Sequence, residues 1–349
     1  FLEKYLNNPS PTGFESGGQK MWLDYISPYI DEHFVDTYGT VVGVINPEAK
    51  YKVVIEAHAD EISWFVHYIT KDGYIYLRRN GGSDHQIAPS KRVNIHTKKG
   101  MVKAVFGWPA IHTRTAGTEK SPKLDNIFLD CGCATKEEVE ELGIHVGCVV
   151  TYEDEFMILN DKYYVGRALD NRIGGFMIAE VARLLKENKV KLPFGLYITN
   201  SVQEEVGLRG AQMIVERIRP DIAIVTDVCH DTGTPMINKI KQGDTKCGDG
   251  PVLTYGPAVQ NNLLELIITA AEKNKIPFQR AAASRATGTD TDAFAYATGG
   301  VASSLISLAL RYMHTTVETV SREDVENVIR LIYESLQKIK NNQDFRYLK

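Results

Sequence analysis

The spacing of apolar and polar positions changes twice along the chain. From 52 to 57 the run KVVIEA is apolar almost throughout, which predicts a strand covered on both faces, and it ends at His58. Between Trp64 and about Tyr152, short β-rich runs follow one another, at 74–77, 93–96, 101–106 and 146–152. Turn residues such as Gly81-Gly82 and Lys99-Gly100 separate them. One short helix interrupts this region, because Thr135-Lys136-Glu137-Glu138 has the Thr-x-x-Glu spacing of a capping box. The pattern predicts a small barrel or sandwich. Beyond about Val165 the period lengthens. Ile173, Phe176, Met177, Val181, Leu184 and Leu185 recur at helical spacing, as do Leu263, Leu264, Ile267, Ala270 and Ala271. A last helix is predicted from Ser321, with Asp324 three residues on, burying Val325, Val328, Ile329, Ile332 and Leu336.

Apolar strands at 195–202, 222–226 and 301–308 alternate with those helices. That alternation predicts an α/β fold, a mostly parallel sheet flanked by helices, to which the 52–57 strand also belongs. The economical organisation is one discontinuous α/β domain, residues 1–62 plus 156–349, interrupted by an inserted small β-barrel domain at 63–155.

Composition narrows the class. A length of 349 residues suits two domains that bury their own cores. The net charge of −4 argues against a general nucleic-acid binder. No apolar run approaches the ~20 residues of a membrane span. The stretch from Phe1 to Asn8 mixes charged and apolar residues without the blocks of a signal peptide. Five cysteines (Cys131, Cys133, Cys148, Cys229 and Cys247) are an odd number spread thinly, which does not read as a disulfide framework. Reduced thiols and a cytoplasmic location are the expectation.

Polar clusters sit at the predicted ends of the sheet strands, where open α/β sheets bind ligands. Ala57-His58-Ala59-Asp60-Glu61 follows the first strand, and in extended chain His58 and Asp60 share a face. A carboxylate placed there can take the second ring N–H of a metal-bound histidine; a satisfied strand-end histidine is the plainer alternative. Asp170, in Ala168-Leu169-Asp170-Asn171-Arg172, precedes an amphipathic helix and taken alone reads as its N-cap. Glu204 and Glu205 follow the strand LYITNSV, where neighbours face opposite ways, so one can ligate while the other faces a reacting water. Asp227 closes the strand from Asp221, and His314 lies in Arg311-Tyr312-Met313-His314-Thr315 after the strand holding Leu305, Ile306 and Leu308. Two histidines with several carboxylates at one sheet edge supply the N/O donors that zinc or another first-row ion takes. The carboxylates would otherwise repel one another.

These five motifs, in this order and spacing, resemble the tetrahedral aminopeptidases, family forty-two of the metallopeptidases, a group that includes glutamyl aminopeptidases. The resemblance spans essentially the whole chain. Ala59 stands where a bulkier residue is common, and Gly288-Thr289-Asp290-Thr291-Asp292 elaborates a simpler Gly-Thr-Asp pattern. The resemblance implies two divalent metal ions per subunit, zinc or cobalt. His58 and Asp227 would hold one, Glu205 and His314 the other, with Asp170 bridging. Asp60 would orient His58, and Glu204 would be the general base that activates a metal-bridging hydroxide. It further implies peptide substrates, cleavage at the N-terminal residue, and a homo-oligomer in which dimers formed through the inserted domain build a tetrahedral dodecamer.

Other classes remain distinguishable. A glycan hydrolase would use paired carboxylates ~5 to 9.5 Å apart and leave His58, Asp227 and His314 without a task. A non-catalytic metal-binding assembly protein, or a di-metal carboxypeptidase or deacylase, would share the ligands but not the cleavage of free-amine peptides. Arg285, in Ser284-Arg285-Ala286-Thr287-Gly288, is a candidate for selecting acidic N-terminal residues, although an exposed arginine is the commoner case. His230 and Asp231, just behind Asp227, are candidates for backing it.

Overall fold

The apolar run that ends at His58 forms the strand Lys52–His58, and it lies at the middle of a sheet where both of its faces are covered. The computed structural model describes residues 1–115, 117 and 120–348 of the chain. They form two units: Phe1–Glu61, Phe156–Met313 and Glu318–Lys349 make one, and Ile62–Glu155 with His314–Val317 the other.

The first unit is α/β, built on an eleven-stranded sheet. Four strands at its centre, Gly195–Ser201, Lys52–His58, Ile222–His230 and Ala302–Arg311, run parallel in that spatial order. The outer strands add antiparallel pairs, such as Val41–Ile45 against Gly195–Ser201 and Glu318–Ser321 against Ala302–Arg311. Parallel neighbours need crossovers, and the helices Leu169–Glu187, Arg209–Ile218, Asn261–Lys273 and Arg322–Leu336 occur in chain order between or after the strands. One boundary differs from the sequence pattern. The strand from Ile222 continues to His230, so Asp227 lies within it and not at its end. The polar residues Thr226 and Asp227 break the apolar run but not the ladder, because the partner strand Ala302–Arg311 is just as long.

Helix Leu169–Glu187 presses onto the sheet at Gly174 and Gly175. A Cβ on Gly174 would come within 2.8 Å of Ala57 Cβ, and one on Gly175 within 2.8 Å of Asn200 Oδ1. Only glycine permits that approach. Trp22, fully buried on helix Ser16–Ile26, donates from Nε1 to Gly175 O at 2.8 Å and locks the first helices to the same spot.

The second unit is a closed six-stranded barrel rather than a sandwich. Its strands are Ser63–Ile69, Ile75–Asn80, Phe128–Asp130, Gly100–Gly107, Arg92–Thr97 and Val149–Tyr152. Trp64, Val66, Ile75, Ile95, Phe106, Leu129 and Val150 fill it. Thr135 caps the helix Lys136–Glu141 as its spacing predicts, accepting from Glu138 N at 3.2 Å, and the Glu138 carboxylate takes Ala134 N.

Among the described residues, Arg172 is a basic side chain fully buried in the first unit. Its guanidinium donates to the carbonyls of Tyr5, Leu6 and Asn8, closing the C-terminal end of helix Leu2–Asn7, and stacks 4.3 Å from the Tyr5 ring. Removing it strands those carbonyls in a dry interior. Arg172→Met is expected to lower unfolding stability by about 3 kcal/mol or more in urea titration; a loss under about 0.5 kcal/mol would show that the helix end is satisfied without it.

Candidate active site

Register brings the motifs together. Ser201 pairs with His58 on one side, and Val225 with Glu56 on the other, so the chain leaving each strand emerges beside His58. Asp227, two residues beyond Val225, therefore stands next to His58, with Oδ1 3.9 Å from its Nε2. Asp170 enters from the start of helix Leu169–Glu187, its Oδ1 3.2 Å from the same nitrogen. It does not act as the N-cap that its position suggests. Ala168 holds that place in a left-handed conformation, Asp170 and Asn171 have non-helical backbone, and the peptide bond between them is cis. The Asp170 N–H donates to Glu318 Oε2 at 3.0 Å, and Asn171 Nδ2 donates to Thr226 O at 2.7 Å. The Asp170 carboxylate is thus free of capping duty and turns toward His58.

Glu204 and Glu205 do not extend the strand as alternating residues. The strand stops at Ser201, Gln203 takes a positive φ of 57°, and Gly207 and Leu208 donate back to Glu204 O in a turn. Asp60 holds this turn from below: its Oδ1 accepts Glu204 N at 3.0 Å and its Oδ2 accepts Glu205 N at 3.2 Å. The same Oδ1 lies 3.4 Å from His58 Nδ1. A carboxylate against Nδ1 favours the tautomer that leaves the Nε2 lone pair facing Asp170 and Asp227.

Ligand atoms of His58, Asp170 and Glu205 all lie within 4.8 Å of one another, with the first two residues buried. One imidazole and carboxylate oxygens at that separation fit a zinc- or cobalt-type ion. Glu204 Oε2 is 3.8 Å from His58 Nε2. His314 groups with the barrel unit, where its Nδ1 lies 3.3 Å from Gly82 O. A Cβ on Gly82 would sit 2.5 Å from that nitrogen, so a side chain there would displace the ring.

Charge is the dominant feature. Burial, followed by the repulsion of Asp227, Asp290 and Glu205, pushes the Glu204 carboxyl up to about 10 against the pull of His58. Burial likewise holds Asp227 well above the usual carboxylate range, with Asp170 adding to the rise. His58 moves up despite its burial, because Glu204, Asp170, Asp60 and Asp227 surround it. Behind it, Glu56 is raised to about 7, chiefly by burial. Burial, with the charge of Glu56 adding to it, holds Asp290 well above its ordinary range.

One of these partners escapes a reading by motif. Glu318 carries no pattern of its own, whereas Glu56 stands as the one acidic residue in the apolar run 52–57. His230 and Asp231 do not back Asp227. Asp231 instead accepts Arg311 Nε at 2.8 Å and Cys247 N at 3.1 Å, pinning the chain that follows its strand, and His230 is exposed. Arg285 is also exposed.

The M42 glutamyl aminopeptidase family matches residues 39–331 of this chain. A lysyl aminopeptidase of Pyrococcus furiosus is 32% identical over 342 residues, which cover 97% of this chain and 96% of the relative. The crystal structure of a TET aminopeptidase from a marine-sediment Thaumarchaeota archaeon is similar at a TM-score of 0.90 and 31% identity, covering 95% of this chain and 94% of that one. The TET1 peptidase of Pyrococcus horikoshii, which can assemble into a tetrahedron or a large octahedral shell, is similar at a TM-score of 0.84 and 27% identity, over 95% and 97% of the two chains. The family match covers most of the chain and its relatives align end to end with the sheet and barrel described above: this chain belongs to the M42 glutamyl aminopeptidase family and is a peptide hydrolase.

Proposed function

We propose that the chain is a di-metal aminopeptidase that removes N-terminal residues from peptides. The convergence of His58, Asp170 and Glu205 within 4.8 Å, beside Glu204, carries this reading. His58 and Asp227 would hold one divalent ion, Glu205 and His314 the other, and Asp170 would bridge them, with zinc or cobalt suited to the donor set. When bound, such ions polarise the scissile carbonyl and lower the pKa of the attacking water.

The remaining work falls to the protein. Glu204 is the general base: with the negative charge around it offset, its carboxyl ionises, takes the proton of the water and returns it to the leaving amine. Asp60 fixes the His58 tautomer and the backbone of Glu204 together. The carboxylates that crowd the site also attract a free substrate α-ammonium, which favours cleavage next to an N-terminus. Assembly is part of the proposal. Residues 63–155 would serve as the dimerisation domain of a dodecamer, in keeping with the tetrahedron formed by the Pyrococcus horikoshii relative. A cytoplasmic setting fits five free cysteines, and no helix among the described residues is long and apolar enough to cross a membrane.

Three measurements test the site. Glu204→Gln is expected to retain its metals by elemental analysis while turnover on aminoacyl-p-nitroanilides drops about 10² to 10⁴-fold; a metal-replete variant with undiminished turnover would remove Glu204 from the base role. Asp170→Ala is expected to purify with less than the full metal complement, and unchanged stoichiometry counts against bridging. The raised pKa of His58 and of Asp227 means that protons compete with the ions, so affinity should rise with pH. Calorimetry in buffers of different ionisation enthalpy should register protons released on zinc binding, and an affinity flat between pH 6 and 8 would contradict this.

A further inference from the structure

The N-terminal segment ahead of the first sheet strand reaches all three loops that make the site. Arg172, two residues after Asp170, is bonded to the carbonyls of Tyr5, Leu6 and Asn8. Ser10 then forms a bridge with the residues that follow His58: its Oγ donates to Ala59 O at 2.8 Å, its N–H to Glu61 Oε1 at 2.7 Å, and its carbonyl accepts Glu61 N at 3.0 Å. Pro11 lies opposite Glu61 as in a parallel strand pair. The chain then turns at Gly13, where the Glu15 carboxylate accepts Gly13 N at 2.7 Å, and Gln19 Nε2 donates to Asn200 O at 2.7 Å on the strand that leads to the Glu204–Glu205 turn.

Thr12 stands in the middle of this strap, 4% exposed, and its hydroxyl donates to Asp60 Oδ2 at 2.8 Å. That oxygen also accepts Glu205 N, while the other carboxylate oxygen takes Glu204 N and faces His58 Nδ1. Asp60 is fully buried, so these donors set the orientation of its carboxylate. Of the donors, the backbone N–H groups belong to the turn that Asp60 must position, and His58 belongs to the site. Thr12 is the side chain that anchors the carboxylate from outside the site.

The geometry points to Thr12 as a positioning residue of the metal centre, acting through Asp60 on both His58 and the Glu204–Glu205 turn. This rests on the function proposed above. Without the hydroxyl, Oδ2 loses its shortest hydrogen bond and the carboxylate is free to rotate about its Cβ–Cγ bond. That one rotation moves the acceptors of two backbone amides and of the imidazole together. The consequence is a site whose ligands and base are all present but misplaced relative to one another, which lowers metal affinity and kcat rather than peptide binding.

Thr12→Val keeps the shape and removes the donor; Thr12→Ser keeps the donor and removes the methyl group. In competition with a chromophoric chelator, Thr12→Val should bind zinc or cobalt about 10 to 100-fold more weakly than wild type, the range for losing an outer partner of a metal ligand. At saturating metal its kcat should remain depressed with KM little changed, and Thr12→Ser should restore both affinity and kcat to near wild type. Wild-type metal affinity and kcat in Thr12→Val would overturn the assignment, as would a Thr12→Ser protein as impaired as Thr12→Val, since the defect would then follow bulk and not the hydroxyl. If Thr12→Val does not fold, the same comparison is made with Thr12→Ala. Wild-type cleavage of aminoacyl-p-nitroanilides is measured in parallel. Its absence would sink the aminopeptidase reading, whereas the chelator titration judges Thr12 without reference to turnover.

Discussion

A single buried carboxylate decides how the site is assembled. Asp60 has two oxygens with room for about four donors, and with no exposure to water every place must be filled by protein. Two backbone amides from the Glu204–Glu205 turn and the Thr12 hydroxyl donate to them, and His58 Nδ1 lies 3.4 Å from Oδ1. The turn therefore cannot be placed independently of the strand that ends at His58, because one side chain is the shared acceptor. Parallel pairing of Lys52–His58 with Gly195–Ser201 makes this possible, since it delivers His58 and Ser201 in register at the same sheet edge. An antiparallel pairing of those two strands would have sent the turn to the opposite edge.

Helix Leu169–Glu187 supplies the third side of the site, and there packing and chemistry constrain each other. The glycine pair at 174 and 175 lets the helix settle against Ala57 and Asn200, which carries Asp170 to within 3.2 Å of His58 Nε2. Holding the carboxylate there costs the helix a regular first turn. The loose ends are taken up by Glu318, which accepts Asp170 N, and by Asn171, which donates to Thr226 O. Arg172 completes the exchange by closing the C-terminal end of the first helix, so the segment that holds Asp170 also fixes the strap that carries Thr12.

Much of this was legible in the pattern of residues. Apolar runs located the central strands because burial on both faces leaves few polar positions, and the short β-rich runs between Trp64 and Tyr152, with turn residues between them, pointed to the β region that forms the barrel. Motif spacing singled out six site residues that the first unit gathers around His58: His58 itself, Asp60, Asp170, Glu204, Glu205 and Asp227. Local reasoning failed where a residue's task is set by something distant in the chain. Asp170 looked like a cap because capping is the commonest use of an aspartate before a helix, yet Glu318, 148 residues away, releases it from that task. Glu204 and Glu205 looked like alternating strand residues because nothing in LYITNSV announces that Gln203 takes a positive φ. Thr12 was invisible, as a threonine in a short polar stretch carries no periodicity that would mark its partner 48 residues on.

The electrostatics bind these observations into one requirement. Asp227, Asp290, Glu204 and Glu56 are all held above their ordinary carboxylate range, burial being the leading cause in each case. An acid with a raised folded-state pKa binds more protons folded than unfolded, so its contribution to stability falls as pH rises above the unfolded value of about 4. His58, also raised, adds stability that is complete below its unfolded pKa and is lost as pH climbs through the folded one. Both kinds of group push the same way: the interior of this sheet edge favours positive charge. Protons provide it at low pH, and divalent cations held by the same atoms would provide it at neutral pH. Under the proposed function the fold would then gain stability from those cations, through their preference for the folded state alone. The close hydrogen bonding around Asp60 would keep the geometry of the site ready for them.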